Sequence, residues 1–197
     1  MNTPLILASA SPRRRALLAE AGVSFHVVVA PVAETSSRAL SIRELTTWNA
    51  ARKAIAVARL RRNAVVLGAD TLVSLGGEPI GKPANLAEAA RILRRLSGRE
   101  HQVCTAVCLC FGVRPPLSFC VVSHVRFRAF DDEQIAAYLA AVDPLDKAGA
   151  YAAQGDGRRI IARIRGSYTN VIGLPMGETL RALRSFGVTA SASTPPR

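Results

Sequence analysis

Short apolar runs of strand length alternate along the chain with longer segments of helical periodicity. The run AVVLGAD at residues 64–70 is almost continuously apolar, which is typical of a central strand buried on both faces. Further strands are predicted at residues 4–9, 25–30, 101–113, 117–130 and 158–166. Because hairpins occur among the alternating strands and helices, the pattern predicts an α/β fold with a mixed sheet and flanking helices.

The predicted helices carry recognisable start and stop signals. Ser41 followed by Glu44 forms a capping-box pattern at the head of a helix that ends near Leu60. Gly22 stops a helix that begins at Arg13, and Pro175 opens the last helix, which reaches about Phe186. Two further helices are expected to begin after N-cap residues: residues 86–96 after Asn85, and residues 132–141 after Asp131.

The segment GGEPIGKP at residues 76–83 matches the first seven positions of a phosphate-binding P-loop. However, Pro83 stands where a P-loop needs a hydroxyl for Mg²⁺, and Pro79 removes a backbone N–H from the loop. Gly76-Gly77 between apolar runs is instead a turn signal. We therefore expect a hairpin that leaves Lys82 near its base.

Length and composition indicate one globular domain. Hydrophobic residues form 49% of the 197 residues, enough for a sizeable core, and no apolar run reaches the ~18 residues of a membrane span. We expect a single domain over residues 1–190, a disordered tail at 191–197 and a cytoplasmic location without membrane association. The four cysteines include no CxxC pair, so buried thiols are expected rather than a zinc site.

The net charge of +12 suggests a polyanionic partner without identifying it. One alternative is a basic nucleic-acid-binding module, and another is a solvated, arginine-rich surface. The basic residues are spread along the chain with little aromatic interleaving, and no nucleic-acid-binding motif is present. We therefore expect no stable complex with nucleic acid.

Most acidic residues of the chain suit surface or helix-capping roles. Two others, Asp70 and Glu34, are candidates for a functional site. Asp70 ends the predicted central strand, and ligand sites in α/β sheets lie at the carboxyl ends of strands. Glu34 follows the predicted strand at residues 25–30 in a loop. The alternatives are that Asp70 closes a turn and that Glu34 is an ordinary loop acid.

The loop SASPRRR after the first strand is a candidate anion site. Ser9 and Ser11 offer hydroxyls, and the following helix presents free N–H groups at its start. Arg13 and Arg14 in the first helical turn oppose the helix dipole, and a bound polyphosphate would reverse that cost. Chance placement in an arginine-rich protein is the alternative.

Five blocks of sequence resemble, in order and spacing, the Maf family of nucleoside triphosphate pyrophosphatases. They are LILASASPRRRALLAEAGVSF, GADTLVSLGGEPIGKP, LSGREHQVCTAV, DKAGAYAAQG and GSYTNVIGLP. The resemblance runs from about Leu5 to Leu183. It implies a long mixed sheet in two lobes around an active cleft, similar to inosine triphosphate pyrophosphatases.

The resemblance also implies an activity: hydrolysis of a nucleoside triphosphate to its monophosphate and pyrophosphate, with Mg²⁺ or Mn²⁺. Asp70 matches the catalytic proton acceptor and, with Glu34, the metal ligands. The matching phosphate-binding residues are Ser9, Ser11, Arg14, Lys53 and Lys82. A nucleotide is thus the expected partner; the resemblance leaves the oligomeric state open, with a homodimer as one alternative.

Three further positions match those that separate the branches of the family: Arg13, Thr71 and Gln154. This combination resembles the branch acting on dTTP and UTP, whereas the branch acting on 7-methyl-GTP carries Trp, Gln and Glu there. Ala152 departs from the family glycine, so we expect an altered backbone beside Gln154.

Overall fold

The computed structural model describes residues 3–37 and 39–190, and it shows a mixed seven-stranded sheet flanked by helices. This confirms the predicted fold class, while the tail predicted at residues 191–197 lies outside the described residues. The strands are β1 (Leu5–Leu7), β2 (His26–Val27), β3 (Val65–Leu75), β4 (Glu78–Ile80), β5 (Glu100–Cys110), β6 (Leu117–Phe127) and β7 (Ile161–Arg165).

The capped helices begin where their polar signals predict. The helices are α1 (Pro12–Glu20), α2 (Ile42–Ala58), α3 (Leu86–Leu96), α4 (Asp132–Ala141), α5 (Tyr168–Ile172) and α6 (Met176–Ser185). Ser41, Asn85 and Asp131 each accept a hydrogen bond from a backbone N–H in the first turn of α2, α3 and α4. In the described part of the chain, no helix is both long enough and apolar enough to cross a membrane.

The sheet has a gap along one edge of β3. The strand order is β2-β1-β3-β5-β6-β7. The parallel β1 pairs with β3 from Val65 to Leu67, and the antiparallel β4 pairs with it from Val73 to Leu75. Residues 68–72 have no strand on that edge within the described chain, although β5 pairs with the other edge throughout. This gap exposes the middle of β3 to a cleft.

Several predicted boundaries were wrong. β3 does not end at Asp70 but continues to Leu75, because antiparallel pairing with β5 carries it past its polar residues. The second strand is only His26–Val27, and residues 158–160 belong to a 3₁₀ turn rather than to β7. The short helix α5 was not predicted. The hairpin at Gly76-Gly77 is confirmed, since both glycines have positive φ angles and join β3 to β4.

The apolar side chains form three clusters around the sheet. The first lies with β1, α1 and α6, the second with α3 and α4, and the third beneath α2. Ile172 of the first cluster and Tyr151 of the second both line the cleft, so residues of both clusters border it. Cys104, Cys108 and Cys110 are buried free thiols, in agreement with the sequence.

α2 packs unusually close to β3. A Cβ atom on Gly68 would lie 2.4 Å from the carbonyl oxygen of Ala50 and 2.6 Å from the amide nitrogen of Ala54. Only glycine permits this approach of two backbones. It brings the α2 side chain Lys53 within reach of Asp70, two residues further along β3.

Candidate active site

One cleft with a cavity volume of about 690 Å³ contains every site residue predicted from the sequence. The lining includes Ser9, Ser11, Arg13, Arg14, Glu34, Lys53, Asp70, Thr71, Lys82 and Gln154. These side chains come from the loop after β1, the start of α1, the loop after β2, α2, β3, the segment after β4 and the segment before β7. Their chemical roles remain predictions, but the fold places them together.

Lys53 joins the two predicted metal-binding carboxylates. Its Nζ donates to Asp70 Oδ1 at 2.6 Å and to Glu34 Oε1 at 2.7 Å. The Asp70 side chain is only 6% exposed, which strengthens this ion pair. Partial burial by itself raises the pKa of Glu34, but the hydrogen bond from Lys53 and the charges of Lys53 and Lys82 outweigh it. The pKa of Glu34 therefore lies below its usual value, and its carboxylate is ionised at neutral pH.

The two carboxylates suit a Mg²⁺ or Mn²⁺ ion whose remaining ligands come from the substrate and water. Hard divalent cations prefer oxygen ligands, and Mg²⁺ is commonly bound through one or two carboxylates together with substrate phosphates and water. Glu34 and Asp70 provide such a pair. No group of three or more His, Cys, Asp or Glu residues suited to a metal occurs among the described residues, so the remaining ligands would not come from these side chains.

Arg14 fills the gap in the sheet. It is 8% exposed. Its Nε donates to Gly173 O at 2.8 Å, and its Nη1 donates to Ala69 O at 2.9 Å, satisfying a carbonyl on the open edge of β3. Burial lowers the pKa of Arg14, and the charge of Asp70 partly offsets this. Arg14 thus holds the cleft floor together, and a direct contact with phosphate remains a prediction.

Thr71 lies beside Asp70 but points to the opposite face of β3, because side chains alternate along a strand. Its hydroxyl accepts a hydrogen bond from Arg14 Nη2 at 3.0 Å and lies 2.9 Å from the hydroxyl of Thr105. Thr105 donates its own proton to Asn170 O, so Thr71 is the donor in the pair. Thr71 therefore has no free proton to offer a ligand, only a lone pair and a methyl group.

A second charged cluster lies on the rim of the cleft. Arg13 Nη1 donates to Asp146 Oδ2 at 2.8 Å, and Lys147 Nζ bonds to the other carboxylate oxygen. Burial tends to raise the pKa of Asp146, but the bonds from Lys147 and Arg13 lower it overall. Neither Asp146 nor Lys147 was assigned a role from the sequence, although both lie in the DKAG block on which the resemblance partly depends.

Ala152 has an ordinary backbone conformation, and the altered backbone expected beside Gln154 stays a prediction. Within the described residues, Ala150 is the non-glycine residue with a positive φ, so Ala152 needs no glycine-like backbone. Its amide donates to the hydroxyl of Tyr138 at 3.1 Å, and Tyr168 donates its hydroxyl to Ala153 O at 2.9 Å. Gln154 itself is exposed at the cleft, where a ligand can reach it.

The start of α1 also faces the cleft. Ser11 is the N-cap residue and accepts from the amide of Arg14, while the amide of Ser11 donates to Ser9 Oγ at 3.2 Å. The first helical position is Pro12, which has no N–H to satisfy. Lys82 lies across the cleft with Nζ 3.8 Å from Glu34 Oε1 and a half-exposed side chain. The helix start and Lys82 thus approach the same space from two sides.

The comparisons with known proteins bear on the family of the chain. The family described as Maf-like protein matches residues 4–186. A dTTP/UTP pyrophosphatase of Akkermansia muciniphila is 45% identical over 193 residues, covering 96% of this chain and 100% of the relative. One from Symbiobacterium thermophilum is 48% identical over 187 residues, covering 93% and 94%.

Among solved structures, a nucleoside-triphosphatase (dITP/XTP pyrophosphatase) from Mycobacterium abscessus covers 93% of this chain and 94% of its own. It has a TM-score of 0.45 and 14% identity, which is too distant to indicate a shared function. The family match spans nearly the whole chain, and the curated relatives match it at well over 30% identity. This chain therefore belongs to the Maf family.

Proposed function

We propose that the protein is a nucleoside triphosphate pyrophosphatase that hydrolyses dTTP and UTP to the monophosphate and pyrophosphate. The names of the relatives support the activity, and one observation of the fold carries the substrate assignment. Arg13, Thr71 and Gln154 come from distant segments, yet they line the same cleft as Asp70. Nucleotides are intracellular substrates, and we therefore place the enzyme in the cytoplasm.

The proposed chemistry is attack of water on the α-phosphorus, with cleavage of its bond to the bridging oxygen and departure of pyrophosphate. Asp70 accepts the proton of the attacking water, and Lys53 fixes the orientation of its carboxylate. Glu34 and Asp70 would hold the divalent metal, which when bound would stabilise negative charge on the phosphate oxygens.

Cations around the cleft would stabilise the leaving pyrophosphate. Lys82 lies beside Glu34 with its ammonium half-exposed, so it can turn towards a phosphate at little cost. Arg13 is held at the rim of the cleft by Asp146. The fixed position of Arg13 supports the preorganisation that electrostatic catalysis requires, while Lys82 turns to meet the substrate.

Gln154 is the proposed reader of the base. Its amide donates and accepts hydrogen bonds, which matches the N3–H and carbonyl groups of uracil and thymine. A glutamate at this position would only accept when ionised and would suit the N1–H and amino group of guanine. The 7-methyl-GTP activity of the other branch is therefore the less favoured alternative.

The decisive experiment is a panel of canonical and modified nucleoside triphosphates with Mg²⁺ or Mn²⁺, assayed for pyrophosphate release. We expect dTTP and UTP to be turned over with higher kcat/KM than GTP or 7-methyl-GTP, with no activity in chelator. Release of inorganic phosphate instead of pyrophosphate, or preference for 7-methyl-GTP, would contradict the proposal.

A further inference from the structure

Asn49 on α2 connects both predicted metal-binding carboxylates. It is 3% exposed. Its side-chain amide donates to Asp70 Oδ2 at 3.4 Å and to the carbonyl oxygen of Thr35 at 3.1 Å. Its carbonyl oxygen accepts from the amide of Thr35 at 2.9 Å. A single buried side chain thus contacts Asp70 directly and holds the residue next to Glu34 by both backbone groups.

The loop that carries Glu34 depends on such contacts. Between β2 and α2 this loop contains no helix or strand over residues 28–37. Besides Asn49, α2 holds it through Arg52, whose Nη1 donates to Ala33 O at 2.9 Å and to Thr35 Oγ1 at 2.6 Å. The side chains that fix the backbone on either side of Glu34 therefore come from α2, the helix that also carries Lys53.

We propose that Asn49 is a positioning residue that sets the separation of the Glu34 and Asp70 carboxylates for a divalent metal. The inference builds on the proposed function. Asn49 and Lys53 are four residues apart and so lie on the same face of α2. Lys53 balances the charge of the carboxylates, while Asn49 fixes the backbone of one and the second oxygen of the other.

The hydrogen-bonding pattern at this site requires an amide. Asn49 donates towards two oxygens and accepts from one N–H, which neither an aspartate nor an aliphatic side chain can reproduce. An aspartate would keep the bond from the Thr35 amide, but it would place a second negative charge 3.4 Å from Asp70. A leucine would leave both backbone groups of Thr35 without this partner.

The test compares Asn49→Asp and Asn49→Leu with wild type and with Thr46→Val as the matched control. Thr46 is a fully buried polar residue on α2, but its hydroxyl contacts Ile42 O and Cys104 rather than the loop or Asp70. Mn²⁺ binding is measured directly by electron paramagnetic resonance, with and without a non-hydrolysable UTP analogue. Steady-state kinetics with UTP and amide exchange of Thr35 complete the set.

Loss of an outer contact to a metal ligand typically lowers metal affinity or activity about 10- to 100-fold. We expect losses of that size in Mn²⁺ affinity and kcat for both Asn49 variants, with a smaller change in KM and faster exchange at Thr35. Thr46→Val should keep the Mn²⁺ affinity and kcat of the wild type, even if its thermal stability falls as much as that of the Asn49 variants. If the Asn49 variants bind Mn²⁺ as Thr46→Val does, or if wild type binds none under either condition, the inference is wrong.

The failure of the proposed function would be seen separately. A wild-type protein that binds Mn²⁺ but hydrolyses no nucleoside triphosphate would contradict the activity. The Mn²⁺ affinities of the Asn49 variants would still decide whether Asn49 positions the carboxylates.

Discussion

Lys53 holds one oxygen of the Asp70 carboxylate and Asn49 holds the other, so its orientation is set before any substrate arrives. Thr71 is held in the same way by Arg14 and Thr105. Most of these contacts join residues far apart in sequence. At the scale of single residues, the geometry of the site therefore forms only when the chain has folded. Conservative substitutions can then remove the chemical role of a side chain without unfolding the protein.

Asp70→Asn should abolish most turnover while the protein stays folded. Asparagine keeps the size of the side chain and one of the two oxygens that accept from Lys53 and Asn49, but it cannot accept a proton or bind a metal as an anion. Loss of a general base usually costs about 10²- to 10⁴-fold in rate, and more if metal binding is lost as well. The measurement is kcat for UTP together with the circular dichroism spectrum.

Asp132→Asn is a suitable control, because it removes a carboxylate that is largely exposed and pairs with Arg94 outside the cleft. This control should retain normal kcat. A near-normal kcat for Asp70→Asn would remove Asp70 from the mechanism.

Gln154→Glu should lower kcat/KM for UTP much more than it lowers stability. Discrimination by matched hydrogen bonds can reach about 10⁴-fold, because the wrong base leaves polar groups unpaired. The measurement is the ratio of kcat/KM for UTP to that for 7-methyl-GTP in both proteins. If the substitution leaves this ratio unchanged, Gln154 does not read the base but merely braces its loop.

His101 should make the fold less stable as the pH falls towards 5. It is 2% exposed. Its Nε2 lies 2.9 Å from the hydroxyl of Tyr151, and its Nδ1 has no hydrogen-bond partner among the described residues. Burial lowers its pKa from 6.5 to about 4, although Glu100 partly offsets this.

Between these two pKa values the unfolded chain takes up a proton that the folded protein excludes. Stability is therefore lost as pH falls from 6.5 towards 4, with a slope of up to about 1.4 kcal/mol per unit. Urea unfolding of wild type and His101→Gln between about pH 5 and 7 measures it. The variant should show a shallower dependence, and equal slopes would mean that His101 is not the responsible group.

At the scale of elements, the contact between α2 and β3 decides the geometry of the site. Lys53 bonds to Glu34 and Asp70, and it reaches them because the backbone of α2 lies directly over Gly68. From the same helix, Asn49 and Arg52 hold the backbone of the loop that carries Glu34. The position of α2 thus sets where both carboxylates lie, through the bonds of Lys53 to their oxygens and through the contacts of Asn49 and Arg52 with the loop.

Gly68→Ala should therefore damage stability and activity together. The added methyl group would meet backbone atoms of Ala50 and Ala54 that cannot move alone, and overpacking of this kind typically costs about 1–3 kcal/mol. Gly177→Ala in α6 is the matched control, since its new Cβ would meet nothing within 4 Å. Urea unfolding and kcat with UTP should be changed by the first substitution and hardly by the second.

The elements differ in how well the sequence predicts them. Helix starts are local, so Ser41, Asn85 and Asp131 located them correctly. The end of β3 is not local, because β5 continues its pairing through Asp70 to Ser74. The hairpin expected at Gly76-Gly77 was the sequence signal for a strand longer than residues 64–70. α5 escaped prediction because its five residues are too few to show a helical period.

The residues of the site also differ in how well the sequence predicts them. Its predicted members came from the family resemblance and from polar residues after strands, and all of them line one cleft. Asn49 and Asp146 were missed because their importance arises from partners 21 and 133 residues away. The sequence of α2 offered no signal for Asn49, because this helix has little hydrophobic periodicity from which a buried face could be predicted.

At the scale of the whole molecule, the charge of +12 is the feature that a nucleotide-hydrolysing cleft explains only in part. Lys53 and Arg13 are engaged with acidic residues of the cleft. Other arginines form exposed ion pairs elsewhere, such as Arg95 with Glu78 and Arg165 with Glu100. The excess positive charge is thus dispersed, and dispersed charge favours nonspecific attraction over a specific complex.

Duplex and single-stranded DNA should therefore bind only weakly. Nonspecific binding falls with salt, with a log–log slope of about −0.9 per phosphate contacted on duplex DNA. Fluorescence anisotropy at two salt concentrations measures it, and we expect no tight complex at about 0.15 M salt. Tight DNA binding by a protein that releases no pyrophosphate from any nucleotide would favour the nucleic-acid-binding alternative.

The alternation of Asp70 and Thr71 on β3 has a consequence for how such a protein can diverge. Neighbouring positions on one strand serve opposite sides of the sheet, with Lys53 and Asn49 on one side and Arg14 and Thr105 on the other. Substitutions that retune selectivity on the Thr71 side need not touch the hydrolytic partners of Asp70. Lineages can therefore exchange one nucleotide for another through single steps that each preserve a working hydrolase, whereas an insertion that shifts β3 by one residue would exchange the two sides and destroy both.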